Sequence, residues 1–188
     1  MASVSSTLHS LKIDYWPLIK SSQTVMLTIT GLAGFLCQPA LPVDLFRFAG
    51  LAGSLVVTIS GCTVLNMLFD RDIDRQMSRT RWRPLATGQV HPQAALWLGT
   101  ALITLGFLWS AILSPLYFAL ILAGAGLNVL VYTLWLKRRS AWSILLGGIA
   151  GGMPILAGHT LAIGRLDTLG FLLALAVVMW IPSHNLTL

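Results

Sequence analysis

Residues 65–90 read LNMLFDRDIDRQMSRTRWRPLATGQV, and the interpretation of the whole chain turns on them. The 188 residues hold six carboxylates, Asp14, Asp44, Asp70, Asp72, Asp74 and Asp167, and three of the six fall inside this stretch. Arg71, Arg75, Arg79, Arg81 and Arg83 accompany them. The flanking sequence is long, apolar and almost free of charge. If the stretch begins as a helix, Asn66, Asp70 and Asp74 share one face, because four residues turn an α-helix through about 400°. Their oxygen-bearing groups then form a file about 12 Å long. Carboxylates on adjacent turns repel unless a cation or a hydrogen-bonded base lies between them. Mg2+ takes oxygen ligands, keeps several waters and commonly bridges one or two carboxylates to phosphate. Guanidinium groups do not ligate such an ion, but they are natural partners of phosphate oxygens. Together the two sets describe a metal–diphosphate site. Asp72 lies about 200° round from its neighbours and is expected to pair with Arg75 or Arg79, or to cap a turn. A plainer reading lets Asp and Arg pair among themselves while the basic residues only set topology. The joint spacing of Asn66, Asp70, Asp74 and the arginine run favours the site.

Composition excludes an ordinary soluble domain. Hydrophobic residues make up 56% of the chain and charged residues 10%, too few for a polar shell. The expected fold class is all-α, a polytopic transmembrane helical bundle. Six segments reach the roughly 20 mainly apolar residues that a spanning helix requires: 18–37, 48–69, 93–113, 116–136, 143–163 and 169–188. Pro39 and Pro42 mark the first connection, Ser114-Pro115 a very tight third one, and Gly164 to Asp167 the fifth. The net charge of +6 does not call for nucleic acid, because the basic residues sit beside apolar spans. In a six-span arrangement Lys12, Lys20, the five arginines from Arg71 to Arg83, and Lys137-Arg138-Arg139 fall on one side, leaving Arg47 and Arg165 opposite. The positive-inside bias then makes the N-terminus and the charged island cytoplasmic, in the inner (plasma) membrane. Cys37 and Cys62 lack metal-ligand spacing and are expected to be unpaired thiols within the spans. The leading residues contain no compact apolar region with a cleavage site and are expected to be a short polar leader.

Polar groups within spans carry separate weight. Asn128 and Tyr132 lie four apart on the fourth span, and either bond between helices or line a cavity. Lys20 either snorkels to the interface or points at the same phosphates as the arginines, the second being favoured. His159 is expected to be structural, whereas His184, after Pro182 at the cytoplasmic end of the sixth span, is a candidate ligand. Gly147, Gly148, Gly151 and Gly152 allow close helix approach. Pro154 is placed to kink the fifth span.

The pattern N-x-x-x-D-x-x-x-D at Asn66, Asp70 and Asp74, with R-T-x-x-R-P-L from Arg79 to Leu85, resembles the first aspartate motif of the UbiA superfamily of intramembrane prenyltransferases. The wording DRDIDRxMxRTRxRPLxxG is similar to one branch, the protohaem IX farnesyltransferases. YTLWLKRRS from Tyr132 to Ser140, followed by ILLGGIAGGMP, resembles a second block of that branch. The resemblance extends over nearly the whole chain and implies one prenyltransferase domain across residues 1–188. It also implies a bundle around a cavity open to the cytoplasm, where Mg2+ helps an allylic diphosphate depart. In that branch the donor is farnesyl diphosphate, the acceptor is the 2-vinyl group of protohaem IX, and the product is haem O. By the same resemblance Asn66, Asp70 and Asp74 hold the metal, Asp70 and Asp74 being catalytic. Arg79, Arg83, Lys137 and Arg138, with Lys20, bind diphosphate, and His184 contacts haem.

Three departures accompany the resemblance. The sequence has P-S-H-N-L around His184 where the branch has P-P-H-F-W. It has Lys20-Ser21-Ser22 where the branch usually has K-P-R. The family is built of about nine spans, each of roughly 20 residues, with a second aspartate motif after the sixth. The present sequence ends before that motif, so it is expected to be a fragment or to lack half the metal site. Two other functions fit some of the residues. One is a related enzyme whose acceptor is an aromatic quinone precursor, and the other is a transporter or assembly subunit whose charged loop only fixes topology.

Overall fold

The computed structural model describes residues 18–19, 22–38, 42–137, 139 and 143–186, with side chains omitted for 143–146 and 182–186. Among these residues every regular element is helical. In chain order they are α1 (Ser22–Leu36), α2 (Leu45–Phe69), α3 (Arg71–Gln76), α4 (Pro84–Thr87), α5 (Pro92–Leu113) and α6 (Pro115–Gly126). A π-helical segment (Leu127–Leu136), α7 (Ser143–Ile163) and α8 (Thr168–Leu186) follow.

The helix ends follow from local chemistry. Asp44 starts α2 by accepting hydrogen bonds from the Phe46 and Arg47 amides at 3.0 and 3.2 Å, which satisfies donors left open at a helix N-terminus. Pro92 and Pro115 occupy first-turn positions, where a missing N–H costs nothing. Extended Ser114 alone separates α5 from α6, the tight turn expected there. Gly88, with φ of 83°, closes α4, and Gly164, with φ of 74°, follows α7, both in the left-handed region that favours glycine.

Leu45–Phe69, Pro92–Leu113 and Pro115–Leu136 are long and apolar enough to cross a bilayer. Ser22–Leu36, Gly147–Ile163 and Thr168–Ile181 are shorter apolar helices over the described residues. Ile112 is 79% exposed and Phe46 75% exposed, as for side chains that meet lipid. The protein is a multi-pass, all-α membrane bundle, as the composition required. Helix α2 packs most extensively on α5, and α7 packs on both α1 and α8. The α1–α7 crossing is made by glycines, since a methyl group at Gly158 would run into the Gly31 carbonyl and one at Gly34 into the Ile155 carbonyl. Gly148 and Gly152 face Val178 on α8, so that pair packs helices as expected. Tyr117 is fully buried, and its hydroxyl lies 2.8 Å from that of Ser54, joining α6 to α2.

The second span ends at Phe69 as expected, and Asp70 stands between α2 and the six-residue α3. The backbone bonds from Asp70 N to Asn66 O and from Asp74 N to Asp70 O, at 2.9 and 2.8 Å, keep the four-residue register across that break. The fourth span differs from the expectation, for it is not one α-helix. Its last ten residues are π-helical, a form rare enough to mark functional sites.

Candidate active site

Asp70 and Asp74 are buried, at 4% and 5% exposure. A buried carboxylate needs a counter-charge or a full set of donors, and each has found a cation. Lys137 Nζ lies 2.5 Å from Asp70 Oδ2. Arg83 Nη1 donates to both oxygens of Asp74, at 3.1 and 2.8 Å. Arg75 Nε donates to the Ala86 carbonyl at 2.9 Å, which fastens α3 to the α4 turn. Asp72 is exposed, unlike Asp70 and Asp74.

Asn66 is held at both ends. Its Nδ2 donates to Asn128 Oδ1 at 2.9 Å, and its Oδ1 accepts from Thr133 Oγ1 at 2.7 Å. Thr133 Oγ1 also lies 2.9 Å from the Asn128 carbonyl, five residues back. That spacing belongs to the π register. Sequence reasoning named Asn128 but missed Thr133, because a five-residue relation gives no signal in an α-helical pattern. The Lys137 amide likewise donates to the Tyr132 carbonyl at 2.9 Å, so the π segment also sets where this lysine emerges.

Beside these groups lies a cavity of about 640 Å³, within the range of small-molecule sites. Arg79, Asn128, Tyr132 and Trp180 line it, with Gln23 and Leu27 of α1 opposite. A smaller hollow of about 50 Å³ continues from it, sharing Gln23, Leu27 and Asn128 and walled by Asn66, Cys62 and Met153. Asn128 therefore both bonds between helices and lines the cavity. Arg79 is exposed on the wall, Asn66 borders the inner hollow, and Asp70 connects to the wall through Lys137, whose Nζ is 5.9 Å from the Tyr132 ring. Asp74 and Arg83 sit behind, engaged with each other. Lys20, Arg138 and the His184 side chain lie outside the described residues. Cys62 is buried and Cys37 exposed, both unpaired.

Among the described residues no three His, Cys, Asp or Glu side chains are gathered to hold a metal. The donor set still fits Mg2+ at one point. Asp70 Oδ1 is buried and has no hydrogen-bond partner, and Mg2+ needs only one or two carboxylates beside phosphate and water.

His159 belongs to the other end of the bundle. It is 1% exposed, and its Nε2 lies 3.0 Å from Asp167 Oδ1, which also accepts from the Gly170 amide at 2.8 Å. The Gly170 N–H, and then the imidazole, hold the Asp167 carboxyl below the usual carboxylate range. This pair ties α7 to α8, the structural role expected of His159.

Residues 27–188 match the model of the UbiA prenyltransferase family. The chain belongs to that family. A protoheme IX farnesyltransferase of Korarchaeum cryptofilum is 36% identical to it over 91% of the chain and 58% of the relative. A UbiA homolog from Aeropyrum pernix K1 superposes with a TM-score of 0.73 at 25% identity, covering 86% of this chain and 61% of that one. A UbiA homolog from Archaeoglobus fulgidus, bound to DMAPP and Mg2+, gives 0.75 at 18% identity, covering 93% and 62%. This UbiA-family chain thus spans about three fifths of the length of such relatives.

Proposed function

We propose that the chain carries the diphosphate-binding part of a prenyltransferase that moves a farnesyl group from farnesyl diphosphate to the vinyl group of protohaem IX, giving haem O. The observation that carries the reading is the buried Asp70, with one oxygen unpartnered and the other bound by Lys137, whose ammonium lies 5.9 Å from the ring of Tyr132 on the wall of the cavity that Arg79 also lines. In the reaction the C–O bond of the allylic diphosphate breaks and the electron pair leaves with the diphosphate. Negative charge then builds on the departing oxygens. Arg79 and Lys137 would stabilise that charge, with Lys20 and Arg138 as further candidates from the sequence, and preplaced cations act more strongly in a dry site than in water. Asp70 would hold Mg2+ through its unpartnered Oδ1, whereas Asn66 and Asp74 would join the set only by giving up their bonds to Thr133 and Arg83. The ion when bound would supply charge neutralisation at the diphosphate. The apolar inner hollow would keep water from the allylic cation, and Tyr132 and Trp180 on the wall of the larger cavity are the aromatic candidates for stabilising it. The vinyl group of the acceptor attacks the cation. Water adds to the carbocation formed on the acceptor and gives up one proton to solvent, which leaves the hydroxyl group of haem O.

The acceptor assignment rests on the wording of residues 70–88 and on the names of relatives, with His184 as the candidate haem contact. The site faces the cytoplasm in this reading, because the basic residues gather at that end.

The test is a membrane assay with haem b, farnesyl diphosphate and Mg2+, scored by mass spectrometry for the farnesylated product. Asp70→Asn is expected to abolish Mg2+-dependent binding of farnesyl diphosphate. Binding that survives the substitution would favour a transporter or assembly role.

A further inference from the structure

The two buried carboxylates are not held alike, and the difference bears on how a metal enters. Asp74 is saturated, since one guanidinium covers both of its oxygens. Asp70 is bound at Oδ2 by a single ammonium, while Oδ1 is buried and without a partner. We propose that Lys137 is a place-holder for the metal: its ammonium neutralises Asp70 until a divalent ion arrives, and is then handed to the phosphate that the ion holds. This rests on the reading of Asp70 as the carboxylate that takes Mg2+.

A carboxylate 4% exposed needs a positive partner at all times. A lysine suits a temporary one, because its compact charge sits on a flexible four-carbon stem and makes a one-point contact. An arginine whose Nη1 reaches both carboxylate oxygens, as at Asp74, is harder to dislodge. The Lys137 side chain is 33% exposed against 6% for Asp70, so the ammonium has somewhere to go. Where it goes is set by the π segment, which ends just before Lys137 and carries Tyr132 on the cavity wall. A released Nζ therefore stays at the wall that Arg79 also lines. The exchange keeps a cation on Asp70 throughout and adds one to the phosphate site when the metal binds. Metal and diphosphate binding become coupled through one side chain.

The experiment titrates Mn2+, a spectroscopically visible substitute for Mg2+, into the protein in nanodiscs without diphosphate and reads bound Mn2+ by electron paramagnetic resonance. Lys137→Gln is expected to bind Mn2+ about tenfold more tightly than wild type, the equivalent of one charge-assisted hydrogen bond no longer competing. Lys137→Arg is expected to bind it more weakly, because a guanidinium can cover both oxygens of Asp70. A folding defect would move both variants the same way, so opposite signs separate the device from damage. With farnesyl diphosphate present the order is expected to reverse, Lys137→Gln falling below wild type. Equal or weaker Mn2+ binding by Lys137→Gln without diphosphate overturns the proposal and leaves the metal role of Asp70 standing. Wild-type protein that binds no Mn2+, with or without farnesyl diphosphate, removes the metal site itself.

Discussion

Arg83 holds both oxygens of Asp74 from nine residues away. The resemblance implies a diphosphate role for this guanidinium, and in the structure it pairs with a carboxylate while 38% exposed. Removing it leaves a buried anion unpaired. Arg83→Met is expected to destabilise the protein by about 1–3 kcal/mol, read as a lowered midpoint of thermal unfolding in detergent. Asp74→Asn combined with Arg83→Met is expected to recover part of that loss. A double variant no better than Arg83→Met would show that the pair is not the source.

Arg79 behaves differently because it is exposed on the cavity wall. Arg79→Gln is expected to weaken farnesyl diphosphate binding by about tenfold, one charge-assisted contact. Stability should stay within about 0.5 kcal/mol, as for most surface changes. Calorimetric titration and thermal unfolding on the same preparation separate the two effects.

The Asn66–Thr133 bond predicts a modest stability effect with a larger functional one. Thr133→Val is expected to cost about 0.6 kcal/mol, the average for hydrogen bonds between membrane helices. It also frees the Asn66 amide to turn, so Mg2+-dependent diphosphate binding should fall further than the unfolding midpoint suggests. A proportionate change in both would reduce Thr133 to a structural group.

At the far end, acid should loosen the α7–α8 turn. The Asp167 carboxyl is held below its usual range in the folded protein, chiefly by the Gly170 amide. The unfolded state therefore takes up its proton first as pH falls, and stability from this group, complete at neutral pH, is lost below about pH 4. Asp167→Asn is expected to be less stable than wild type at pH 7, with the gap closing in acid. Thermal unfolding at both pH values checks it. A gap that widens in acid would refute the assignment.

Glycines sort by what stands opposite them. Gly126 has nothing within 4 Å of a built side-chain carbon and helical dihedrals, φ −61° and ψ −47°. Gly126→Ala is expected to stabilise by about 0.5–1 kcal/mol. Gly158→Ala should instead lower the unfolding midpoint markedly, since its methyl group meets backbone. Equal midpoints for the two variants would contradict the crossing.

The spans were legible because apolar length is a one-dimensional signal. The register of Asn66, Asp70 and Asp74 was legible too, because a four-residue spacing survives the break after Phe69. The partners of those residues were not. Lys137 and Thr133 reach Asp70 and Asn66 from 67 residues away, through a π segment whose period the sequence does not advertise. The cavity wall from α1 was equally hidden, because nothing local distinguishes Gln23 and Leu27 from residues that face lipid.

The glycine crossing of α1 with α7 decides where the cavity wall can be altered. These helices touch backbone to backbone at Gly31 and Gly158, whereas Gln23 and Gly147, further toward their N-termini, both line the larger cavity. At the crossing an added methyl group meets main chain, and at Gly147 it meets the Tyr132 ring, so room for a bulkier guest is best sought by trimming Gln23.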